Sequence, residues 1–146
     1  MKVVAQNRRA RFDYEILETL EAGVMLTGPE VKSCRLGQIS LNGSYVWFTK
    51  GVPILKNATI AKYAKAAGLT DYDPKRDRPL LLKGKETEKL TAAIKEKGVT
   101  VVPLEVRSGK FIKLLLALGR GRKKLDKRRV IRERETGRRL REGREE

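Results

Sequence analysis

Basic side chains are the most abundant reactive groups in this sequence, and they are concentrated at its two ends. The chain has 146 residues, of which 34 are Lys or Arg and 18 are Asp or Glu, giving a formal charge of +16 at pH 7. Arg8, Arg9 and Arg11 stand near the start, and residues 120–146 hold 13 basic and 6 acidic side chains. Such cations bind polyanions by contacting phosphates and releasing counterions. The distribution fits RNA better than a small acidic ligand; the alternative is a solvated, disordered basic tail.

The groups that most enzymes and metal sites use are largely missing. The chain has no His and one cysteine, Cys34, which excludes Ser–His and Cys–His pairs, an internal disulfide and the usual zinc ligand sets. The acidic pairs Glu86/Glu88 and Asp71/Asp73 favour helix-start and turn roles over metal binding. The glycines of 119–124 lack P-loop spacing and indicate a flexible exit from a domain. We expect no enzymatic activity and no cofactor.

Two groups of residues are candidates for direct RNA contact. Arg8, Arg9 and Arg11 form a basic arm that would grip phosphates, with Asn7 bonding a base edge or sugar; the alternative is a solvated arm. Tyr45 and Trp47 share one face of a predicted strand, a spacing that favours burial in a core over a base-stacking platform.

Short strands separated by turn residues predict a mainly β domain. A strand begins at Tyr14, and Gly23 predicts a bulge or bend within it. The predicted turns are Asn42-Gly43, Lys50-Gly51 and the two-residue Ser108-Gly109 connection, which joins strands 99–107 and 110–118. Pro103 predicts an edge or a bulge in the first of these strands.

Helices are predicted where apolar residues recur at three- and four-residue spacing. Residues 28–37 and 86–97 have this pattern and end at glycines. Residues 58–72 fit either a helix or a surface excursion. Residues 73–79 contain two prolines and predict a charged connection.

These elements predict a small OB-like antiparallel Greek-key barrel with short helices. We expect residues 1–119 to form this RNA-binding barrel with its basic N-terminal arm, and residues 120–146 to form a tail that is disordered or conditionally helical. No apolar stretch approaches the roughly 18 residues of a membrane span, so we expect a cytoplasmic protein with no membrane partner. We also expect the protein to be a monomer.

Five sequence blocks give a more specific indication. Residues 7–16, 21–24, 28–35, 73–82 and 121–128 resemble, in the same order, motifs of the SmpB family, the bacterial proteins that bind tmRNA (SsrA RNA). The blocks span nearly the whole chain. The chain departs from the family pattern at Phe12, Pro79 and Leu125.

The resemblance implies an OB-type barrel that binds the tRNA-like domain of tmRNA and delivers it to ribosomes stalled on mRNA without a stop codon. It further implies that the tail enters the empty mRNA channel near the decoding centre of the small subunit and becomes helical there. The residues assigned to RNA binding are Asn7, Arg8, Arg9, Arg11, Glu21, Lys32, Arg35, Leu81, Arg122, Lys123 and Lys124. Those assigned to the ribosome-binding tail are Asp126, Lys127, Arg128, Arg129 and Arg132.

Both implied roles make physical sense. The tail cations repel one another in the free chain, and ribosomal RNA phosphates would neutralise them and permit a helix. Glu21 would accept hydrogen bonds from base or sugar groups that Lys and Arg cannot serve; the alternative is a charge partner for a neighbouring Arg.

Two other functions remain open from the residues alone. One is a basic ribosomal or general OB-fold RNA-binding protein anchored by its tail. The other, an RNA-processing nuclease, needs an acidic metal-binding cluster that the sequence does not show.

Overall fold

The computed structural model describes residues 2–64, 72–122, 128, 131 and 132. Nine strands and three helices lie within these residues. In chain order they are β1 (Lys2–Gln6), α1 (Arg8–Asp13), β2 (Tyr14–Val24), α2 (Gly28–Arg35), β3 (Ile39–Ser40), β4 (Tyr45–Thr49), β5 (Val52–Lys56), β6 (Thr59–Ile60), β7 (Arg78–Leu81), α3 (Gly84–Ala93), β8 (Val99–Ser108) and β9 (Ile112–Gly121).

Six of the strands close into an antiparallel barrel. Their order around it is β8, β4, β5, β7, β2 and β9, and the pairing of β9 with β8 closes the ring. A bulge between Pro103 and Glu105 divides β8, which pairs with β4 at Val101 and with β1 from Glu105 onward. The predicted antiparallel barrel with short helices, and the predicted bulge at Pro103, are both confirmed.

β9 is apolar on both faces because both faces are covered. Leu114 and Leu116 are at most 1% exposed and lie in the main core of the barrel. Leu115 and Ala117 belong to a second cluster with Ala10 of α1. Helix α1 therefore packs on the outside of the barrel and covers apolar surface that β8 and β9 would otherwise expose to water.

The basic arm is folded, although its sequence has no apolar period. β1 takes its hydrogen bonds from β8, and α1 follows directly. The Asn7 side chain reaches the carbonyl of Pro103, 96 positions away in the chain. Periodicity within the arm cannot report such long-range contacts.

The Asn42-Gly43 turn forms, but it does not connect a hairpin. The Ser44 N–H closes the turn on the Leu41 carbonyl at 3.0 Å. β3 before the turn pairs with β6, whereas β4 after it pairs with β5. The turn therefore redirects the chain between two sheets.

The other two predicted hairpins form. Lys50 and Gly51 have φ of 50° and 79°, the left-handed geometry of a tight β4–β5 turn. The β8–β9 connection contains residues 109–111, because Ser108 pairs with Ile112, so it is three residues long and not two.

The glycine predicted to bend β2 has a different role. β2 runs without interruption through Gly23, which pairs with Leu81 on one side and Lys113 on the other. The bulge in this strand lies between Ile16 and Glu18. A Cβ on Gly23 would lie 3.2 Å from the Cβ of Leu81, so glycine permits the close approach of β7.

The helices predicted at 28–37 and 86–97 correspond to α2 and α3. A helix beginning at residue 58 is wrong for residues 58–64, which contain β6 and irregular structure, and residues 65–71 lie outside the described residues. The connection predicted at 73–79 ends earlier, because β7 begins at Arg78.

Candidate nucleic-acid interface

The first candidate surface is α1 with its cap, Asn7. The Asn7 side chain is 5% exposed; its Oδ1 accepts from the Ala10 N–H at 3.2 Å, and its Nδ2 donates to the Pro103 carbonyl at 2.9 Å. Its backbone N–H donates to the Leu104 carbonyl at 2.7 Å. Asn7 therefore caps α1 and fixes it to β8, which positions the arginines that follow.

The three arginines of α1 are exposed, and two of them make ion pairs with described residues. Arg9 pairs with Asp13 at 3.1 Å and lies 5.3 Å from the Phe12 ring centroid. Arg11 pairs with Glu105 at 3.6 Å, and Arg8 makes no ion pair with a described residue. Glu105 has a side chain that is only 12% exposed and also pairs with Arg107, so it keeps a cation beside it when Arg11 binds a phosphate.

The basic exit of the barrel lies beside α1. The Arg122 N–H donates to the Asp13 carbonyl at 2.8 Å, directly after β9 ends. The Arg122 Nη1 is buried and lacks a hydrogen-bond partner in the described part of the chain. The arm and the start of the tail are thus joined at one point on the barrel.

Most predicted tail residues fall outside the described part of the chain. These are Lys123, Lys124, Asp126, Lys127 and Arg129. Arg128 and Arg132 are described; both have helical backbone and both are exposed.

The second candidate surface is an open groove of about 510 Å³ between β2, β7 and the start of α3, which we call the β2–β7 groove. Leu81 lines it and is 59% exposed. The groove also contains Glu21, Lys83 and Lys113. Glu86 lines it as well, so the groove combines apolar contacts, two carboxylates and two cations, a mixture suited to a folded RNA with exposed bases and phosphates.

Glu21 has features of both roles that the sequence left open. One carboxylate oxygen lies 3.5 Å from the Arg107 Nη1, so the predicted charge partner exists. Arg107 is held more tightly by Glu105, at 2.8 Å, and this hydrogen bond raises the pKa of Arg107. The Glu21 side chain remains 43% exposed and keeps acceptor capacity toward the groove.

The position of Leu81 depends on a buried ionic cluster that sequence reasoning missed. At the start of β7, the Arg78 Nε donates to the Glu30 Oε2 at 2.8 Å, and the Arg78 Nη2 lies 2.7 Å from the same oxygen in an ion pair. Arg76 and the Thr27 N–H donate to the Glu30 Oε1, at 2.5 and 2.9 Å. The cluster ties β7 to the first turn of α2.

The remaining Arg78 donors bind the chain on either side of β6. Nη1 donates to the carbonyls of Ala58 and Arg76, and Nη2 donates to the Pro74 carbonyl and the Tyr72 hydroxyl, at 2.9 to 3.3 Å. The guanidinium is therefore fully hydrogen-bonded, as a buried charge must be.

Two predicted RNA contacts on α2 are engaged within the protein. Arg35 donates to the Ser108 hydroxyl and to the carbonyls of Gly109 and Lys110 at 2.8 to 3.3 Å. The Lys32 ammonium lies 5.5 Å from the Tyr63 ring centroid. Arg35 positions the β8–β9 turn, whereas Lys32 remains on the surface.

The aromatic residues of β4 lie outside the core. Trp47 is 56% exposed and Tyr45 is 37% exposed, so the burial that their spacing favoured is wrong. Val46 between them is 2% exposed, which shows that β4 turns its aromatic face outward.

The described residues contain no set of three or more Cys, Asp or Glu side chains arranged to hold a metal ion. No helix in this part of the chain is long and apolar enough to span a bilayer. Glu86 accepts from the Lys83 N–H at 3.1 Å and Asp73 from the Lys75 N–H at 2.9 Å, so both acids have the predicted helix-start and turn roles.

Comparison with protein families identifies the family to which the chain belongs. The family model described as SmpB protein matches residues 4–145. The chain belongs to the SmpB family. It is 45% identical to an SsrA-binding protein of Synechococcus sp. (strain JA-3-3Ab), over 96% of this chain and 92% of that protein. It is 46% identical to one of Gloeobacter violaceus, over 94% and 90%.

A solved structure extends the similarity to the fold. It is described as "tmRNA-SmpB: a journey to the center of the bacterial ribosome", and one of its chains is 44% identical to this one with a TM-score of 0.69. The match covers 85% of this chain and 87% of that chain.

Proposed function

We propose that this protein binds the tRNA-like domain of tmRNA and delivers it to stalled ribosomes, acting in the cytoplasm as a binding protein and not as an enzyme. The observation that carries this proposal is the SmpB match along residues 4–145, which includes both candidate surfaces and the basic tail. Its partners are tmRNA and the ribosome.

The β2–β7 groove is the primary RNA site in this proposal. Leu81 presents an exposed apolar side chain to a base or ribose, and Glu21 accepts a hydrogen bond from an N–H or 2′-OH group. Lys83 and Lys113 supply phosphate contacts. A groove in which carboxylates alternate with cations would select a folded RNA surface over a uniform duplex backbone.

The arm and the tail exit form a second phosphate-binding region. Arg8, Arg9 and Arg11 are held on α1 by the Asn7 cap, and Arg122 lies beside that helix. Lys123 and Lys124 continue this basic run in the sequence. These cations would add salt-dependent affinity without base specificity.

The tail is proposed to act after the RNA is bound. Lys127, Arg128, Arg129 and Arg132 would bind phosphates of the vacant mRNA channel, and Asp126 would provide the acceptor next to them. Charge neutralisation would favour the helical conformation that Arg128 and Arg132 have in the structure.

A tagging assay on stalled ribosomes tests this division of labour. Deleting residues 126–146 should leave affinity for tmRNA within about twofold but abolish peptide tagging. Lys127→Ala/Arg128→Ala should impair tagging, whereas the matched pair Arg138→Ala/Arg139→Ala should not, because only the first pair falls in the tail motif. A broad loss of RNA affinity on deletion would instead support a tail that merely anchors a general RNA-binding protein.

A further inference from the structure

A large aromatic side chain is exposed at the tip of the β8–β9 hairpin. Phe111 is 62% exposed, while its neighbour Ile112 is 5% exposed and belongs to the core. Ile112 therefore anchors the turn in the core, whereas the Phe111 ring is exposed to solvent. Exposed phenyl rings lose the benefit of apolar burial, and a partner that covers this ring would recover it.

The turn that carries the ring is held in one conformation. Arg35 donates to three acceptors along residues 108–110, and the Gly109 N–H donates to the Phe111 carbonyl at 3.2 Å. These bonds fix the backbone on both sides of the ring. Binding to a side chain on a pre-ordered turn costs less conformational entropy than binding to one on a mobile turn.

Two cations stand beside the ring. The Lys110 and Lys113 ammonium groups lie 5.8 and 6.0 Å from the ring centroid, at the outer limit of a cation–π contact. Neither makes an ion pair with a described residue. The acids on this side, Glu21 and Glu105, both pair with Arg107.

We propose that Phe111 stacks on an unpaired base of tmRNA, with Lys110 and Lys113 binding the phosphates that flank that base. Every base offers a π-face to an aromatic ring, and flanking ammonium groups complement the backbone on either side. Lys113 also lines the β2–β7 groove, so the hairpin tip continues that surface. This inference rests on the proposed function and extends it to a further residue.

The charge around the ring favours RNA over a protein partner. A protein partner would need carboxylates placed on both sides of an apolar pocket, whereas each nucleotide of an RNA carries a phosphate next to its base. Phosphates would pair them directly. Stacking plus two phosphate contacts therefore accounts for all three side chains.

Substitutions at the ring separate stacking from simple apolar contact. Phe111→Ala should weaken binding of the tRNA-like domain about five- to a hundredfold, the range measured for loss of one stacked base. Phe111→Trp should retain affinity and Phe111→Leu should not. Met25→Ala, which removes another side chain that is 53% exposed, is the matched control and should bind normally. Thermal melting should be unchanged for all four variants.

Fluorescence gives a direct readout of the contact. The chain has one tryptophan, so Trp47→Phe/Phe111→Trp places the only indole at the hairpin tip. Adding the tRNA-like domain should quench this indole, because a stacked base quenches the ring it covers. Lys110→Ala and Lys113→Ala should each reduce the salt dependence of binding by about one phosphate contact.

The outcomes distinguish this inference from the proposed function. If Phe111→Ala binds like the wild type, or if the indole is not quenched, the stacking contact is overturned even when Glu21→Ala still loses affinity. If Phe111→Leu retains affinity, or Phe111→Ala loses only tagging, a base contact is again overturned and a protein partner is indicated. If the wild type binds tmRNA no better than an unrelated RNA, the proposed function is overturned. Quenching of the indole at position 111 by either RNA would still test whether the ring stacks on a base.

Discussion

Glu30 and Arg78 form an ion pair in which both side chains are 0% exposed and the Nη2 and Oε2 atoms lie 2.7 Å apart. The pair joins the start of α2 to the start of β7, the short strand that ends at Leu81. Removing one partner of such a pair leaves a charge in the interior without compensation. The geometry of the β2–β7 groove therefore depends on an ion pair that does not itself line the groove.

Glu30→Gln should destabilise the fold by about 3–5 kcal/mol, because the Arg78 guanidinium would lose its counter-charge while remaining buried. Urea unfolding at pH 7 measures this change. The matched control is Glu86→Gln, which alters the same helix position in α3 at a more exposed site and should cost less than about 1 kcal/mol. Equal losses of unfolding free energy for the two substitutions would show that the buried pair stabilises the fold no more than the exposed Glu86 does.

The same pair should make stability depend on pH. Burial alone would raise the pKa of Glu30, but hydrogen bonds from Arg76, the Thr27 N–H and Arg78, with the charge of Arg78, hold the pKa at about 2 against an ordinary 4.5. A carboxyl with a lowered folded pKa stabilises the fold above pH 4.5 and loses that contribution as pH falls toward 2. The contribution is roughly 3 kcal/mol at neutral pH. The stability difference between wild type and Glu30→Gln should therefore shrink below pH 4.5; a constant difference contradicts this assignment.

Gly119→Ala should destabilise the barrel by about 1–3 kcal/mol through overpacking. An added Cβ would lie 2.9 Å from the Cβ of Tyr14, where β2 and β9 cross closely. Gly121 is the matched control on the same strand, since its nearest neighbour would be 4.0 Å away. Thermal melting of the two alanine variants compares them, and an unchanged melting temperature for Gly119→Ala would show that Tyr14 moves freely.

The sequence predicts best those features that depend on contacts between residues close together in the chain. The helix ending before Gly37 and the bulge at Pro103 depend on local patterns, and both predictions are confirmed. Asn7 was assigned to RNA, yet its side chain bonds residue 103, and no local pattern contains that contact. Arg78 lies in a stretch whose two prolines predict a charged connection, and the sequence cannot show that the Arg78 guanidinium lies within 3 Å of Glu30.

In the candidate site, too, some residues could be predicted from the sequence, and others are brought together only by contacts between distant parts of the chain. Exposure of Leu81 and Glu21 agrees with the roles that the family resemblance implied. Lys83 and Lys113 were missed, since only the pairing of β2 with β7 and β9 brings them to one groove. The family resemblance assigns Arg35 to RNA, whereas in the structure Arg35 donates to three acceptors in the β8–β9 turn that the sequence does not reveal.

Substitutions in the groove and the core should have opposite effects. Leu81→Ala and Glu21→Ala should each lower affinity for tmRNA about tenfold or more and leave thermal melting unchanged, because both side chains are exposed. Leu116→Asp should unfold the protein, since it places an unpaired charge at a site that is 0% exposed. Circular dichroism and filter binding on the same preparations measure both properties. Normal melting of Leu116→Asp, or unfolding of Leu81→Ala, would contradict the assignment of core and surface.

A competition filter-binding titration of the full chain tests RNA specificity most directly. Labelled tRNA-like domain of tmRNA is bound at physiological salt and challenged with unlabelled tmRNA or with an unrelated RNA of equal length and charge. We predict that tmRNA competes at least a hundredfold better, about 3 kcal/mol or more of specificity beyond the shared electrostatic attraction. Equal competition by the two RNAs would contradict the account.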